Sequence, residues 1–352
     1  MERHAAAGVM ALVTGAALAR LWDHREPPLA PVVAPAPPSP PRFARAFDVT
    51  RFVRGNLHTH STQSDGDTAP YDVARWYRDH GYGFVALTDH NVLTGPGDLA
   101  AIVTPDFAIV AGEEVSMWVD GRQVHVNALC TRAVVAGGRF PRAVDALEHA
   151  IGEIRAQDGV ALVNHANFDW ALAPGDVIAA DGAVLLEIAS GHPYVHSAGD
   201  ATHPSHEQLW DAALGAGRDV MGVGIDDTHH LVTDADPEAF PGVAWVEVFA
   251  DAPRGDLLCD ALRRGALYAS TGASVRRIAV DARSYLVEPV DPDAVVKFIG
   301  GGGRTLASAR AGEDGATYRL AGDEGYVRAR IEARSGFAWT PAVRVTQGGV
   351  SP

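Results

Sequence analysis

Phe84-Val85-Ala86-Leu87-Thr88-Asp89-His90 is a short apolar run that ends on an aspartate and a histidine. A run of this length, bounded by polar residues, reads as a buried parallel strand. The same arrangement recurs along the chain. Ile109-Val110 leads to Gly112-Glu113-Glu114-Val115-Ser116, and Ala161-Leu162-Val163 leads to Asn164-His165. Val220-Met221-Gly222-Val223-Gly224 leads to Asp226-Asp227-Thr228-His229, and His58-Thr59-His60 opens the series in Gly-Asn-Leu-His-Thr-His. Chemistry-bearing groups placed just beyond successive strands converge on the C-terminal mouth of a βα barrel. Imidazoles and carboxylates together suit zinc, manganese or iron. The pattern therefore predicts a multinuclear metal site and a hydrolase.

The segments between these runs have helical texture. Pro70 to His80 starts on proline, carries Val73, Trp76 and Tyr77 on one face and precedes Gly81. Residues 142–157 place Val144, Leu147, Ile151 and Ile154 at helical spacing, and Ser205 to Ala216 forms a third helix. Strands are expected at 84–88, 160–164, 184–188 and 220–225. This alternation argues for an α/β fold with a parallel sheet and crossover helices. Residues 115–130 break it: they read as a β-hairpin turning at Asp120-Gly121, which delivers His125. From about residue 275, strand-like pieces (Arg277–Val280, Ala294–Ile299, Tyr326–Ala333, Ala342–Val345) alternate with glycine-rich turns such as Gly300 to Gly303. The expected division is 1–25 a signal or anchor, 26–50 a linker, 51–274 the barrel, and 275–352 a small β-sandwich-like domain.

The 352 residues carry 44 Asp and Glu against 29 Lys and Arg. With Lys297 the only lysine and no basic cluster interleaved with aromatics, a nucleic-acid track is not expected. Arg3 precedes an apolar stretch, Ala5 to Ala19, that ends in Ala17-Leu18-Ala19. That stretch is short for a membrane span and its end suits cleavage, so it reads as an export signal, the alternative being an uncleaved N-terminal membrane anchor. Export places the protein in the periplasm or outside the cell. Pro27, Pro28, Pro31, Pro35, Pro37, Pro38, Pro40 and Pro41 give a polyproline-type linker. Cys130 and Cys259, the only cysteines, fit no zinc or redox spacing and read as buried free thiols, the alternative being a disulfide, which export would permit.

The ordered set His58-Thr-His60-Ser-Thr-Gln-Ser-Asp65-Gly66, Thr88-Asp89-His90-Asn91, Gly112-Glu-Glu114-Val-Ser116, His125-Val-Asn-Ala-Leu129, Asn164-His165 and Asp227-Thr-His229 resembles the PHP (polymerase and histidinol phosphatase) metallohydrolase superfamily. The resemblance runs over residues 54 to 235. A later stretch is similar to the CehA/McbA-like branch, which includes carbamate-ester hydrolases such as carbaryl hydrolase. Its matching text is Glu207-Gln-Leu-Trp210-Asp211, Gly222-Val-Gly-Ile-Asp-Asp-Thr-His229 and Ala261-Leu-Arg-Arg-Gly265-Ala-Leu-Tyr268-Ala-Ser270-Thr-Gly272.

The resemblance implies a distorted (β/α)7 PHP-type barrel holding two to three divalent ions (Zn, Mn or Fe). It implies a first ion on His58, His60, Glu114 and Asp227. A second sits on Glu114, His125 and His165, with the Glu114 carboxylate bridging, and a third on Asp65, His90 and His229. The neighbouring Asp226 and Glu113 are alternatives. Asp227 is preferred because Asp-x-His puts both groups on one face of a strand end, and Glu114 because the matched pattern is Gly-x-Glu. Asp89 reads as a residue orienting His90 or a neighbouring ligand. The segment 187–206 holds Glu187, His192, His196, His203 and His206. His192 and His203, with Asp227, are the expected proton carriers. The expected substrate is a small-molecule ester, first of phosphoric acid and alternatively a carbamate or carboxyl ester. A non-catalytic exported metal-binding protein is the reading from another class.

Overall fold

The computed structural model describes residues 47–231, 240–346 and 349–350. The expected signal, nearly all of the proline-rich linker and part of 230–240 lie outside them. Among the described residues no helix is long and apolar enough to cross a membrane.

The fold is mixed α/β, with five α-helices described: α1 (Pro70–Asp79), α2 (Ala143–Ala156), α3 (Pro174–Ala179), α4 (His206–Gly215) and α5 (Gly255–Arg263). Sequence accounts for most of these boundaries. Pro70 occupies the first turn of α1, Val73, Ala74 and Tyr77 face the core, and Gly81 follows the helix at φ 81°. Ser205 opens α4 through a reciprocal cap: its Oγ accepts from Gln208 N at 3.2 Å, and Gln208 Oε1 accepts from Ser205 N at 2.8 Å.

Strands pair into sheets of four, six and eleven. The six-stranded sheet runs Met221–Ile225, Leu185–Ser190, Val160–Val163, Arg122–Leu129, Gly112–Val119, Gly138–Arg139. Its first three members are mutually parallel, as the βα reading expects. The other two long members form the expected hairpin, with Asp120 at φ 49° and Gly121 at φ 77°. Two successive left-handed residues match the twist of the flanking strands.

In the eleven-stranded sheet Val53–Asn56, Phe84–Val85 and Ala108–Ile109 are parallel. The expected strand 84–88 is formally two residues long, yet Ala86 N and Thr88 N still donate to Asn56 O and Thr59 O at 2.9 Å. Gly55 permits this approach, because a Cβ there would lie 2.1 Å from the Phe84 ring. The parallel order stops at Trp245–Val248, which pairs antiparallel with both Val53–Asn56 and Leu267–Ser270. Pairing therefore follows successive parallel βα units over only part of the chain.

The C-terminal strands fall where their alternation predicts: Val275–Val280, Val295–Gly300, Gly325–Ala333 and Val343–Thr346. Leu267–Ser270 pairs with Gly336–Trp339, so the eleven-stranded sheet continues across residue 275. Phe47–Val49, inside the stretch read as linker, is a strand paired with Val275–Val280.

One expectation is overturned. Cys130 and Cys259 are joined in a disulfide, and neither is a free thiol. Spacing along the chain could not reveal this pair, because 129 residues separate two groups that the fold brings to one place. The bond ties the end of the His125 strand to α5. Closing so long a loop removes unfolded-state entropy worth about 4–5 kcal/mol in the chain-entropy view. Urea unfolding with and without reductant checks this: the midpoint falls under reductant, and the Cys259→Ser protein starts lower and does not respond to reductant.

Candidate metal centre

Two backbone bridges assemble the site. Thr59 pairs with Thr228, with His60 N donating to Thr228 O at 2.8 Å and Asp227 N to His58 O at 3.0 Å. This sets His58 and His60 against Asp227 and His229. His90 pairs with Glu114, with Asn91 N donating to Glu114 O at 2.9 Å. The hairpin register then brings His125 opposite Ser116.

All nine expected ligands converge. His60, Asp65, His90, Glu114, His125, His165, Asp227 and His229 line one pocket, and His58 lies fully buried among them. Their ligand atoms form four overlapping groups: His60–Asp65–His90–His229, His58–Glu114–His165, His58–His60–Asp227 and His90–Glu114–His125. His58 Nε2, His60 Nε2 and Asp227 Oδ1 make a nearly equilateral triangle, with edges of 3.2, 3.2 and 3.3 Å. An ion bonded tetrahedrally at about 2.0–2.1 Å holds its ligands about 3.3–3.4 Å apart. Asp227 Oδ1 has no hydrogen-bond donor although it is buried. A buried carboxylate oxygen facing two imidazole nitrogens at this spacing fits a cation. Imidazole nitrogen with carboxylate oxygen is the donor set of zinc, manganese and iron.

The structure separates the neighbouring carboxylates. Asp226 points away from the cluster and accepts from Asn56 Nδ2, Tyr77 Oη and the amides of Gly242, Val243 and Ala244, at 2.8–3.0 Å. Burial nevertheless raises its pKa to about 6. Glu113 also points away, accepting from Val135 N at 2.7 Å, and burial raises it to about 7. Asp227 reaches the cluster by a route other than strand alternation. The strand ends at Ile225, and Asp227 takes a left-handed φ of 52° that turns its carboxylate inward.

The supporting contacts are specific. Glu114 Oε1 accepts from Asn164 Nδ2 at 2.6 Å, and Asn164 Nδ2 also donates to Asn127 Oδ1 at 2.8 Å. Glu187, fully buried, accepts from His165 N at 2.8 Å and faces His58 Nδ1 at 4.0 Å. It lies in the strand Leu185–Ser190, within the strand expected at 184–188. Asp89 binds Ser61 N, Ser61 Oγ and Ser64 Oγ at 2.7–2.8 Å. Those contacts fix the turn carrying Asp65, so Asp89 orients the His60–Asp65 side and not His90.

The histidine-rich segment divides. His192 lines the pocket, 5.3 Å from the His229 ring between centroids, and burial lowers its pKa. His203 lies outside the pocket wall. It contacts Asp200 Oδ1 at 2.9 Å and stacks on Trp170 at 3.9 Å, which removes it from the expected proton-carrying position. His196 stacks on Trp170 as well, and His206 is buried with Nε2 accepting from Asn167 N at 3.2 Å. Three pocket-wall residues escaped the sequence reading: Gln123, Phe168 and Val195. Gln123 was findable, since it stands two residues before His125 and strand alternation puts both on one face. Phe168 and Val195 sit in short 3-10 turns that carry no such signal.

No family model matches the sequence, and the comparison with curated proteins likewise finds no match. Solved structures give distant likenesses. A two-domain protein from Bacteroides vulgatus, predicted to contain a PHP-like metal-dependent phosphoesterase, is 15% identical with a TM-score of 0.46, over 87% of this chain and 92% of that one. A protein from Bifidobacterium adolescentis described as a metal-dependent phosphoesterase is 15% identical with a TM-score of 0.40, over 60% and 96%. An amidohydrolase from Chromobacterium violaceum, holding sulfate and no metal, is 17% identical with a TM-score of 0.39, over 51% and 89%. With likenesses this distant, function has to be read from the side chains themselves.

Burial opposes charge on His60 and His165, but carboxylates outweigh it. Asp227, Asp65 and Glu114 raise His60 to about 10, and Glu114 and Glu187 raise His165 to about 9. Both imidazoles therefore hold protons at neutral pH, and an incoming cation displaces them. Apparent Mn²⁺ or Zn²⁺ affinity is expected to rise with pH between 7 and about 9, with proton release on binding, as titration calorimetry in buffers of different ionisation enthalpy reads. The stability sign agrees. Folded pKa values above the ordinary 6.5 give stability that is full below that value and lost as pH rises through 9–10. The metal-free protein should accordingly lose melting temperature over that range, and the metal-saturated protein should lose less. Asp227→Asn is expected to cut metal content and, because it removes one of the charges that hold the His60 proton, to flatten the loss of metal-free stability at high pH, whereas Asp226→Ala costs about 2–4 kcal/mol by stranding buried donors.

Proposed function

We propose that this chain is a metal-dependent hydrolase of a small-molecule ester, most favoured as a phosphoesterase. The observation that carries the reading is the His58–His60–Asp227 triangle, enclosed with Glu114, His125, His165, Asp65, His90 and His229 at one pocket. His58, His60, Glu114 and Asp227 would hold a first ion, Glu114, His125 and His165 a second, and Asp65, His90 and His229 a third. Divalent ions held there supply Lewis-acid charge and lower the pKa of water toward neutrality.

The remaining wall belongs to the substrate. Gln123 offers an amide for orientation, Phe168 and Val195 an apolar surface, and His192 a ring nitrogen beside the cluster. His192 Nδ1 accepts from Tyr194 N at 3.3 Å, which leaves Nε2 as the atom to carry a proton to the departing oxygen. Two or three divalent charges outweigh the three carboxylates of the ligand set, and that surplus favours an anionic substrate. A carbamate or carboxyl ester of the carbaryl-hydrolase type is the second reading. It is favoured by the apolar wall and by a pocket lining without arginine or lysine. The disulfide supports an exported protein, periplasmic or extracellular, because such bonds persist in oxidising compartments.

The test is elemental analysis of the purified protein together with turnover of p-nitrophenyl phosphate, bis-p-nitrophenyl phosphate and 1-naphthyl carbamate in added Mn²⁺ or Zn²⁺. Phosphate turnover with two or three ions per chain is expected. Carbamate turnover alone would select the second reading. Tight metal binding with no turnover of any of the three would sink the hydrolase and favour a metal-binding protein. His58→Ala with His60→Ala should abolish turnover, by about 10³-fold or more, with the circular dichroism of the fold kept.

A further inference from the structure

The C-terminal strands meet α4, whose first residue, His206, contacts the loops that carry Phe168 and Val195. The exposed-looking polar face of α4 is gripped along its whole length. In the first turn, Glu207 Oε1 lies 2.8 Å from Arg328 Nη2 and Glu207 Oε2 3.1 Å from Arg330 Nη1. One turn on, Asp211 accepts from Arg328 Nε at 2.8 Å, Arg328 Nη2 at 2.7 Å and Tyr326 Oη at 2.7 Å. Arg328 is 1% exposed, and its guanidinium also lies over the Trp210 ring at 4.7 Å. Beyond the last turn, Arg344 Nη1 donates to Leu214 O at 2.8 Å and Arg344 Nη2 to Arg218 O at 3.1 Å. Leu214 O is one of the last carbonyls of the helix, and Arg218 O lies three residues beyond its end. Gly303 completes the fit, since a Cβ there would stand 2.8 Å from Asp211 Oδ2.

The other end of α4 reaches the substrate wall. His206, its first residue, is fully buried and accepts from Asn167 N, while His206 N donates to Ser197 O at 2.9 Å. Asn167 Nδ2 donates to His196 O at 3.0 Å and Pro204 O at 2.9 Å. The loop carrying Phe168 and the loop carrying His192 and Val195 are thus tied to each other and to the head of α4. α4 also packs on the strands Leu185–Ser190 and Met221–Ile225, with Trp210 Nε1 donating to Val220 O at 2.8 Å, while the hairpin that presents Glu114 and His125 lies farther along the same sheet, beyond Val160–Val163.

We propose that the C-terminal strands act through Arg328, Arg330 and Arg344 as a rigid brace on α4, and that this brace positions the Phe168 and His192–Val195 walls of the pocket without contributing to the metal ligands. Asp211 and Glu207 are positioning residues on this account. The proposal rests on the hydrolase reading only for its kinetic consequence, and its structural consequence stands apart from it.

The test uses the full chain with Asp211→Asn and, because that site is buried and folding itself is at risk, the milder Glu207→Gln. Metal content, amide hydrogen exchange and steady-state kinetics on the substrate the wild type turns over are measured. The brace requires faster exchange in 165–172 and 190–206, unchanged exchange in 112–129, and metal content equal to wild type. It also requires KM to rise at least about tenfold for Asp211→Asn, and less for Glu207→Gln, with kcat within about twofold. Loosening confined to α4 itself, with both loops and KM unchanged in both variants, would overturn the proposal. So would loss of metal in the folded Glu207→Gln protein. If the wild type turns over nothing, the hydrolase reading fails, while the exchange and metal measurements still decide the brace.

Discussion

One carboxylate organises this molecule. The two oxygens of Glu114 lie 3.0–3.3 Å from nitrogens of His58, His60, His90, His125 and His165. Asn164 holds the same group at 2.6 Å. Its charge is retained in spite of full burial, because the surrounding imidazoles keep its pKa well below the ordinary carboxylate range. Burying such a group is costly unless it is paired on every side. That constraint explains why segments from six different regions of the chain must end at the same point, and why the backbone bridges at Thr59–Thr228 and His90–Glu114 are needed to bring them there.

Around that centre the polar groups divide by what they face. Those pointing inward find nitrogen and carboxylate partners and an unpaired Asp227 Oδ1. Asp226, pointing outward, is saturated by three backbone N–H groups, Asn56 and Tyr77, while Glu113 is held, among the described residues, by Val135 N alone. Adjacent aspartates in the sequence thus serve opposite ends. Asp226 secures the 242–244 backbone, and Asp227, turned by its left-handed φ, serves the site. The pocket has a similar division, with the candidate ligands carried mostly by the sheets and Phe168, His192 and Val195 by loops and short 3-10 turns. Ligands on a sheet hold their geometry closely, and loops can vary in chemistry without disturbing it.

Much of this was legible before any coordinates. His58, His60, His90, Glu114, His165, Asp227 and His229 stand at or just beyond the ends of short apolar runs, while Asp65 follows in a polar turn and His125 is delivered by the hairpin. Helices at 70–80, 142–157 and 205–216 followed from proline, glycine and apolar spacing, and the hairpin from Asp120-Gly121. What local pattern missed has a common cause. The sheet reverses direction at Trp245–Val248, which no periodicity encodes, and the C-terminal strands join the same sheet through Leu267–Ser270. His203 was in a histidine-rich run but is turned onto Trp170 and Asp200. Phe168 and Val195 looked like ordinary apolar loop residues.

The sequence by itself determined the candidate ligand set, the helices at 70–80, 142–157 and 205–216 and the hairpin turn, because each depends on neighbours a few residues away. Only the tertiary structure decided which of Asp226 and Asp227, or Glu113 and Glu114, faces the cluster. It alone joined Cys130 to Cys259, placed His192 and not His203 at the pocket wall, and set the C-terminal arginines against α4. Each of those outcomes depends on groups brought together from distant parts of the chain, and on a single backbone dihedral in the case of Asp227. Local propensity carries no information about such meetings, since the energy that selects them exists only once the chain has packed.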